Sequence, residues 1–318
     1  MKPLLDIENL SVKFRTQQGV IHAVSNINLQ LHEGEVLGIV GESGSGKTQL
    51  MLSLLGLLPE NANVIGRVGF VEKNILSIDA QAMNQIRSNQ IAMIFQDPMS
   101  ALNPYLKIST QLVEAQVINQ GLSKQQALKQ AVEMLIKVRI PDAQQRIHDY
   151  PYQFSGGMRQ RIMIAMALLR KPKVLIADEP TTALDVTVQA DILRLLKSLR
   201  DEFSLSIILI THDMSIVAGQ CDRIAVMYAG RMVEYATIEK LFTEPKHPYT
   251  QGLLAAAKSQ SGLSAELVSI PGNPPRNTEQ INGCAFYPRC EKRMKICNTV
   301  LPAMQGDETQ QQACHLYE

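Results

Sequence analysis

Gly41-Glu42-Ser43-Gly44-Ser45-Gly46-Lys47-Thr48 lies between the apolar run Glu35-Val36-Leu37-Gly38-Ile39-Val40 and the stretch Gln49-Leu50-Met51-Leu52-Ser53-Leu54-Leu55. The apolar run predicts a buried parallel strand and the second stretch the start of a helix. Strand, glycine-rich loop and helix in that order are the context a P-loop requires. The glycines let backbone N–H groups turn inward around phosphate oxygens, at conformations a Cβ would block. A helix N-terminus adds roughly half a positive charge at the same spot. Gly41, Ser43, Gly44, Ser45 and Gly46 are therefore read as a phosphate cradle. Lys47 can reach the β- and γ-phosphates, and Thr48 can offer its hydroxyl to Mg²⁺. A glycine-rich turn with a solvent-facing lysine is the plainer reading, and the flanking strand and helix weigh against it.

Outward from the loop, 318 residues suffice for one large domain with an appendage, or for two domains. The apolar fraction of 45% is ordinary for a globular protein. A net charge of +1 gives no broad attraction to nucleic acid or acidic lipid. Met1 to Glu8 carries acids where a signal peptide would be apolar. No apolar stretch approaches the roughly 20 residues that span a bilayer; Ile162 to Leu169 stops at Arg170. The chain is expected in the cytosol, with any membrane role coming through a partner.

Asp6 to Leu10, Ser11 to Phe14 and Ile27 to Leu31 show partial period-two alternation, predicting short antiparallel strands ahead of the P-loop strand. From about 100 to 170 the spacing changes. Leu112, Ala115 and Ile118, then Ala127, Ala131, Met134, Leu135 and Val138, recur at helical intervals between Asn103-Pro104 and Pro141. This predicts a helical subdomain inserted in an α/β body. Strands are expected at Val174–Asp178 and Ser206–Thr211, and a helix at Val188–Leu199. A strand pair is expected across Ala229-Gly230. The alternation implies a largely parallel, doubly wound sheet. Beyond about 245 proline and glycine rise, so an irregular extension is expected over 246–318, after a 1–245 domain.

Nucleotide hydrolysis needs a held Mg²⁺, an oriented water and neutralisation of charge on the γ-phosphate. The apolar strand Val174 to Ala177 delivers Asp178 at its C-terminal end, where open α/β sheets bind ligands. Asp178 can hold Mg²⁺, and Glu179 can polarise the attacking water. An acidic pair after a strand is common at helix caps, so this pair alone decides little.

Phe154-Ser155-Gly156-Gly157-Met158-Arg159-Gln160-Arg161, ahead of Asp178-Glu179-Pro180-Thr181-Thr182-Ala183-Leu184-Asp185, resembles the signature motif of ABC ATPases. Gln96, in Ile94-Phe95-Gln96-Asp97-Pro98, resembles their Q-loop, and His212, in Ile210-Thr211-His212-Asp213, their switch histidine. The resemblance implies an ABC cassette: an α/β P-loop NTPase with an N-terminal antiparallel β-subdomain and an inserted helical subdomain. It implies ATP and Mg²⁺, with Gln96 at the metal or the water and His212 on the γ-phosphate. Ser155, Gly156 and Gly157 would serve the nucleotide of an opposite subunit, and Asp185 would link the two sites. Phe14 sits where an aromatic stacks on adenine; a core phenylalanine is the alternative. Met158 departs from the glutamine many members carry.

Pro245 to Leu254, Ile270 to Pro275 and Gly283 to Cys290 are similar to the C-terminal extension of peptide-importer ATPases, a subfamily handling oligopeptides, dipeptides and nickel. Met93 to Met99, Phe154 to Ala167 and Pro271 to Pro275 are similar to the ATP-binding subunits of oligopeptide permeases in particular. That resemblance implies oligopeptide uptake, with a second ATPase subunit in a heterodimer, two transmembrane permease subunits and an external peptide-binding protein. It implies a peripheral position on the cytoplasmic face of the inner membrane. Dipeptide or nickel import is the near alternative, and a soluble ABC ATPase outside transport the distant one. No nucleic-acid partner is expected. Cys284, Cys290, Cys297 and Cys314 are separated by five, six and sixteen residues and lack Cys-x-x-Cys pairs. Four thiolates could ligate a [4Fe–4S] cluster, as some relatives do at matching cysteines, and free thiols or zinc stay open. Cys221 is read as a small buried hydrophobe.

Overall fold

A computed structural model describes residues 2–97, 101–182, 184–260, 269–275 and 281–317. Pro98, Met99 and Ala183 of the motifs quoted above lie outside the described residues. The chain divides into two compact bodies, residues 1–78 with 209–318, and residues 79–208.

In the first body an antiparallel sheet runs in the order Gly19–Leu31, Leu5–Thr16, Ala62–Phe70, Lys73–Asn74. Leu5, Ile7, Leu10 and Val12 are buried. Two short strands were expected over residues 6–14, whereas one strand spans Leu5–Thr16. The pairing register slips between Ile7 and Leu10, and Asn9 takes φ 49°. A bulge inserts one residue and resets the alternation, so a continuous strand reads as two.

The P-loop strand Val36–Val40 is buried at every residue. It pairs in parallel with Arg223–Tyr228, from Leu37 opposite Arg223 to Val40 opposite Val226. Gly38 lets Cys221 pack close, since a Cβ there would sit 3.0 Å from Cys221 Sγ and 3.2 Å from Val217 Cγ1. Cys221 is buried as expected, and burial pushes its thiol up to about 12. Arg223 donates to Glu35 at 2.5 and 2.8 Å, and the Val36 N–H donates to Asp222 at 2.8 Å, fastening the two strands at their starts. Arg223–Tyr228 then pairs antiparallel with Arg231–Thr237 across Ala229 and Gly230, both left-handed. Arg231–Thr237 in turn takes Gln310–Gln312, and that segment takes Gln305–Gly306. The tail is not irregular throughout, because Pro248–Gln260 is a helix. Its Pro248 and Gly252 look like breakers in sequence, yet proline at a first helical position costs no hydrogen bond.

In the second body Ile91–Ile94 pairs in parallel with Val174–Asp178. The helices Ala80–Asn89, Ile108–Gln120, Lys124–Lys137, Gly156–Leu168 and Val186–Phe203 belong to it. Leu112, Ala127, Ala131, Met134, Leu135 and Val138 are buried as their spacing predicts. Ile118 departs from that stripe and is exposed. Ser123 starts Lys124–Lys137 with a capping box, its hydroxyl and Gln126 each closing on the other's backbone N–H. The buried strand Ser206–Thr211 runs across the boundary between the bodies and ends just before His212.

Candidate nucleotide site

In the first body the loop is built around two glycines that tolerate no side chain. A Cβ on Gly41 would lie 2.2 Å from the Met227 carbonyl oxygen, and one on Gly46 2.3 Å from that of Ala23. Gly46 caps the helix Lys47–Leu54 at φ 98°, a conformation glycine adopts without strain. That helix has no acid in its first turn, so its positive end is not neutralised locally. Lys47 is 5% exposed. Its Nζ donates to the carbonyls of Gly41 at 2.7 Å and Glu42 at 3.0 Å, and to Ser45 Oγ at 3.4 Å. Ser45 and Gly46 are buried, Ser43 and Gly44 are exposed, and Thr48 is half-buried behind Lys47. Phe14, near the end of its strand, is half-buried opposite Ile21 and Ala62. His212 is exposed between buried Thr211 and Asp213, whose carboxylate caps the next helix.

The second body carries the acids. Asp178 is buried at the end of its strand. Glu179 follows at φ 46°, a left-handed turn that sends its carboxylate off the strand direction. Gln96 Nε2 and Thr182 Oγ1 each donate to Glu179 Oε2 at 2.9 Å. The Q-loop glutamine and the candidate base, 83 residues apart, thus meet directly. Ser155 caps the helix Gly156–Leu168, its Oγ accepting from the Met158 N–H at 3.4 Å. Ser155 and Gly156 are exposed. Gly157 admits no larger residue, since a Cβ would stand 2.5 Å from Val188 Cγ1. Met158 has its own contact, with Arg146 Nη1 3.7 Å from its sulfur. Asp185 is exposed and caps Val186–Phe203 through the Val188 N–H at 2.9 Å.

Sequence reasoning passed over the support behind the loop. The Glu42 N–H donates to Tyr249 Oη at 2.9 Å, and its carboxylate takes a two-pronged bond from Arg289. No local pattern points to a partner 247 residues away.

Cys284, Cys290, Cys297 and Cys314 line one narrow cavity with His247, Phe286 and neighbours. Burial pushes the Cys284 thiol up to about 11, and the other three cysteines add to that rise. Cys290 and Cys314 are raised too, by burial first. Yet among the described residues no three His, Cys, Asp or Glu side chains are arranged to hold a metal ion. The cysteines match the expected cluster in number and in sharing a cavity, but not in ligating geometry.

Residues 24–182 match the family model described as ABC transporter, and residues 233–297 match that of the oligopeptide/dipeptide transporter C-terminal region. The chain is 52% identical over 297 residues to an oligopeptide transport ATP-binding protein of Haemophilus influenzae, covering 93% of this chain and 92% of that one. It is 47% identical over 304 residues to a dipeptide transport ATP-binding protein of Bacillus subtilis, covering 95% and 91%. Among solved structures, a dimeric ATP-binding cassette in a post-hydrolysis state bound to ADP and Pi aligns with a TM-score of 0.65 at 27% identity. That alignment covers 74% of this chain and 98% of that one.

Proposed function

The chain belongs to the ABC transporter family, and from that premise we propose that it is the ATP-hydrolysing subunit of an importer that takes up oligopeptides. The observation that carries this is the loop Gly41–Thr48, built to hold phosphate, on the same chain as a peptide-transporter C-terminal region. The relatives named for oligopeptide and dipeptide transport support peptides as the cargo. Gly41, Ser43, Gly44, Ser45 and Gly46 wrap the phosphates, and Lys47 contacts their β- and γ-oxygens. The hard oxygens of Thr48 and buried Asp178, with Gln96, suit Mg²⁺, which when bound would neutralise charge on the β- and γ-phosphates. Glu179, oriented by Gln96 and Thr182, polarises the attacking water, and His212 steadies the γ-phosphate. Phe14 stacks on the adenine. Ser155, Gly156 and Gly157 close on the nucleotide of a second cassette, which we take to be a different ATPase subunit, with Asp185 at the junction. The domain limits we assign are 1–245 for the cassette and 246–318 for the extension, with the helical insertion at about 100–170.

None of the helices among the described residues is long and apolar enough to cross a membrane. From the kinship with peptide-transport ATP-binding proteins we place the subunit peripherally on the cytoplasmic face, held there by two permease subunits fed by an external peptide-binding protein. A groove in the second body supports that docking. Met93, Phe95, Met163 and Met166 make its apolar lining, with Arg87 and Arg170 at its sides. Methionine-rich surfaces of this kind adapt to a partner helix.

For the C-terminal cysteines, the [4Fe–4S] reading rests on their sharing one cavity alone, without ligating geometry among the described residues. Iron and labile sulfide assayed on anaerobically purified protein decide it; absence of both rejects the cluster.

The function is tested on the assembled transporter. ATP turnover stimulated by peptide-loaded binding protein, and abolished in Glu179→Gln with ATP still bound, is the expected result. Turnover indifferent to peptide would reject the importer assignment.

A further inference from the structure

We propose that Arg289 and Tyr249, both in the C-terminal extension, are positioning residues for the phosphate loop, holding Glu42 and through it Lys47. The inference rests on the nucleotide site proposed above and adds to it a support that lies outside the cassette.

Every polar group of Glu42 is engaged. Its N–H donates to Tyr249 Oη at 2.9 Å. Its carbonyl accepts from Lys47 Nζ at 3.0 Å. Its carboxylate accepts from Arg289 Nη1 at 2.8 Å and Nη2 at 3.0 Å. A forked guanidinium–carboxylate pair fixes direction as well as distance, which a lysine cannot do. Arg289 is itself immobilised. Its Nε donates to the Pro271 carbonyl at 2.9 Å and Nη2 to that of Ile270 at 3.2 Å. Nη1 also reaches Tyr228 Oη at 3.2 Å. The guanidinium lies 5.8 Å from the Tyr228 ring centre and 5.9 Å from that of Phe286. Those rings pack with Tyr249, at 4.6 and 5.4 Å between centres. With its side chain 6% exposed, Arg289 forms a charge pair too buried to dissolve into water.

The consequence falls on Lys47. Its ammonium rests on two carbonyls, and one of them belongs to the residue that Arg289 and Tyr249 hold. A loop fixed before the nucleotide arrives does not spend binding energy on ordering itself. The segment that Arg289 fastens at Ile270 and Pro271 leads to Pro274 and Pro275, which border a concavity with Glu42, Ser43, Gly44 and Ser45. The extension therefore contributes to affinity for ATP rather than to the chemical step.

The test measures ATP affinity and steady-state ATPase on the full chain in its transporter complex, with Lys47→Ala as the control. Arg289→Ala is expected to raise KM and Kd for ATP about tenfold with kcat held within about twofold, the pattern of lost uniform binding. Arg289→Lys should give only part of that affinity back, because it restores charge without the fork. Adding Glu42→Ala to Arg289→Ala should cost no more than the worse single change, since both remove one interaction. Should Arg289→Ala not fold, Glu42→Gln carries the test: it keeps the shape, removes the charge, and is expected to weaken ATP binding. A lower melting temperature with ATP affinity unchanged in all these variants makes Arg289 a structural staple and overturns the inference. Wild-type-like binding by Lys47→Ala would instead overturn the nucleotide site itself.

Discussion

Two helix starts in this chain have the same chemistry and opposite surroundings. Lys47–Leu54 and Gly156–Leu168 both begin at a glycine-bearing turn and lack acids in the first turn, so both offer an unneutralised positive end. The first is enclosed. Gly46 and Lys47 are buried, and the lysine is tied to backbone carbonyls on its own loop. The second is open, with Ser155 and Gly156 exposed and one hydroxyl capping one N–H. An enclosed cradle can bind phosphate by itself. An open one has donors but no walls, and becomes a site when another surface brings the anion to it. The contrast is the one expected if, as proposed, the open end serves the nucleotide of a second cassette.

That contrast can be broken most sharply at Glu179. Glu179→Gln should lower turnover about a thousandfold, the middle of the range for a lost general base, while ATP still binds and holds paired cassettes together. Turnover measured beside size-exclusion chromatography with ATP checks both halves; paired cassettes without loss of turnover would remove Glu179 from the chemistry. Lys47→Ala comes next. Losing a buried charged contact to phosphate should weaken ATP binding about a hundredfold, read by calorimetry, whereas the open helix start should bind no ATP by itself in that variant.

The third measurement separates the two helix starts by acid. His247 is buried, and its Nδ1 accepts the Tyr249 N–H at 3.1 Å, which needs a neutral ring. Burial lowers its pKa to about 3. The folded ring stays unprotonated through the range where the unfolded chain binds a proton, starting near its ordinary value of 6.5. Stability should therefore fall as pH drops from about 6.5 toward 3, by at most about 1.4 kcal/mol per pH unit for this one group. His247→Gln should flatten that acid limb in denaturant melts. The contribution comes from behind the phosphate loop, so the Gly156–Leu168 end should show no matching pH effect. The smallest effect is at Ser155. Ser155→Ala should cost about 1 kcal/mol of stability, as a lost helix cap does, seen as a lowered denaturation midpoint. A larger loss would mean the open end is already closed by its own body.

The two regions were unequally legible in the sequence. Around Lys47 the signal is local: five buried residues, a glycine-rich turn and a helix within one short stretch. Gln96 could be singled out through resemblance and Glu179 by its place after an apolar strand, but their direct hydrogen bond needs the chain folded across 83 residues. Arg289 was invisible for the same reason. An arginine beside Cys290 has no spacing that names Glu42, and only burial turns it from a surface charge into a clamp. Pro248–Gln260 is hard to see in the sequence because its proline and glycine resemble helix breakers, while Tyr249 and Leu254 along it are buried. The bulge at Asn9 hid one strand as two.

Gln310–Gln312 pairs with Arg231–Thr237, and the short Gln305–Gly306 pairs beyond it. Cutting the chain at the end of the cassette would strip that cover and leave a row of unpaired backbone donors and acceptors along a β-edge. Three glutamines and a two-residue neighbour form the kind of short, polar margin that discourages edge-to-edge strand pairing. Residues 305–312 cover that edge, so a chain cut at about 245 should self-associate more than the full chain, read by light scattering.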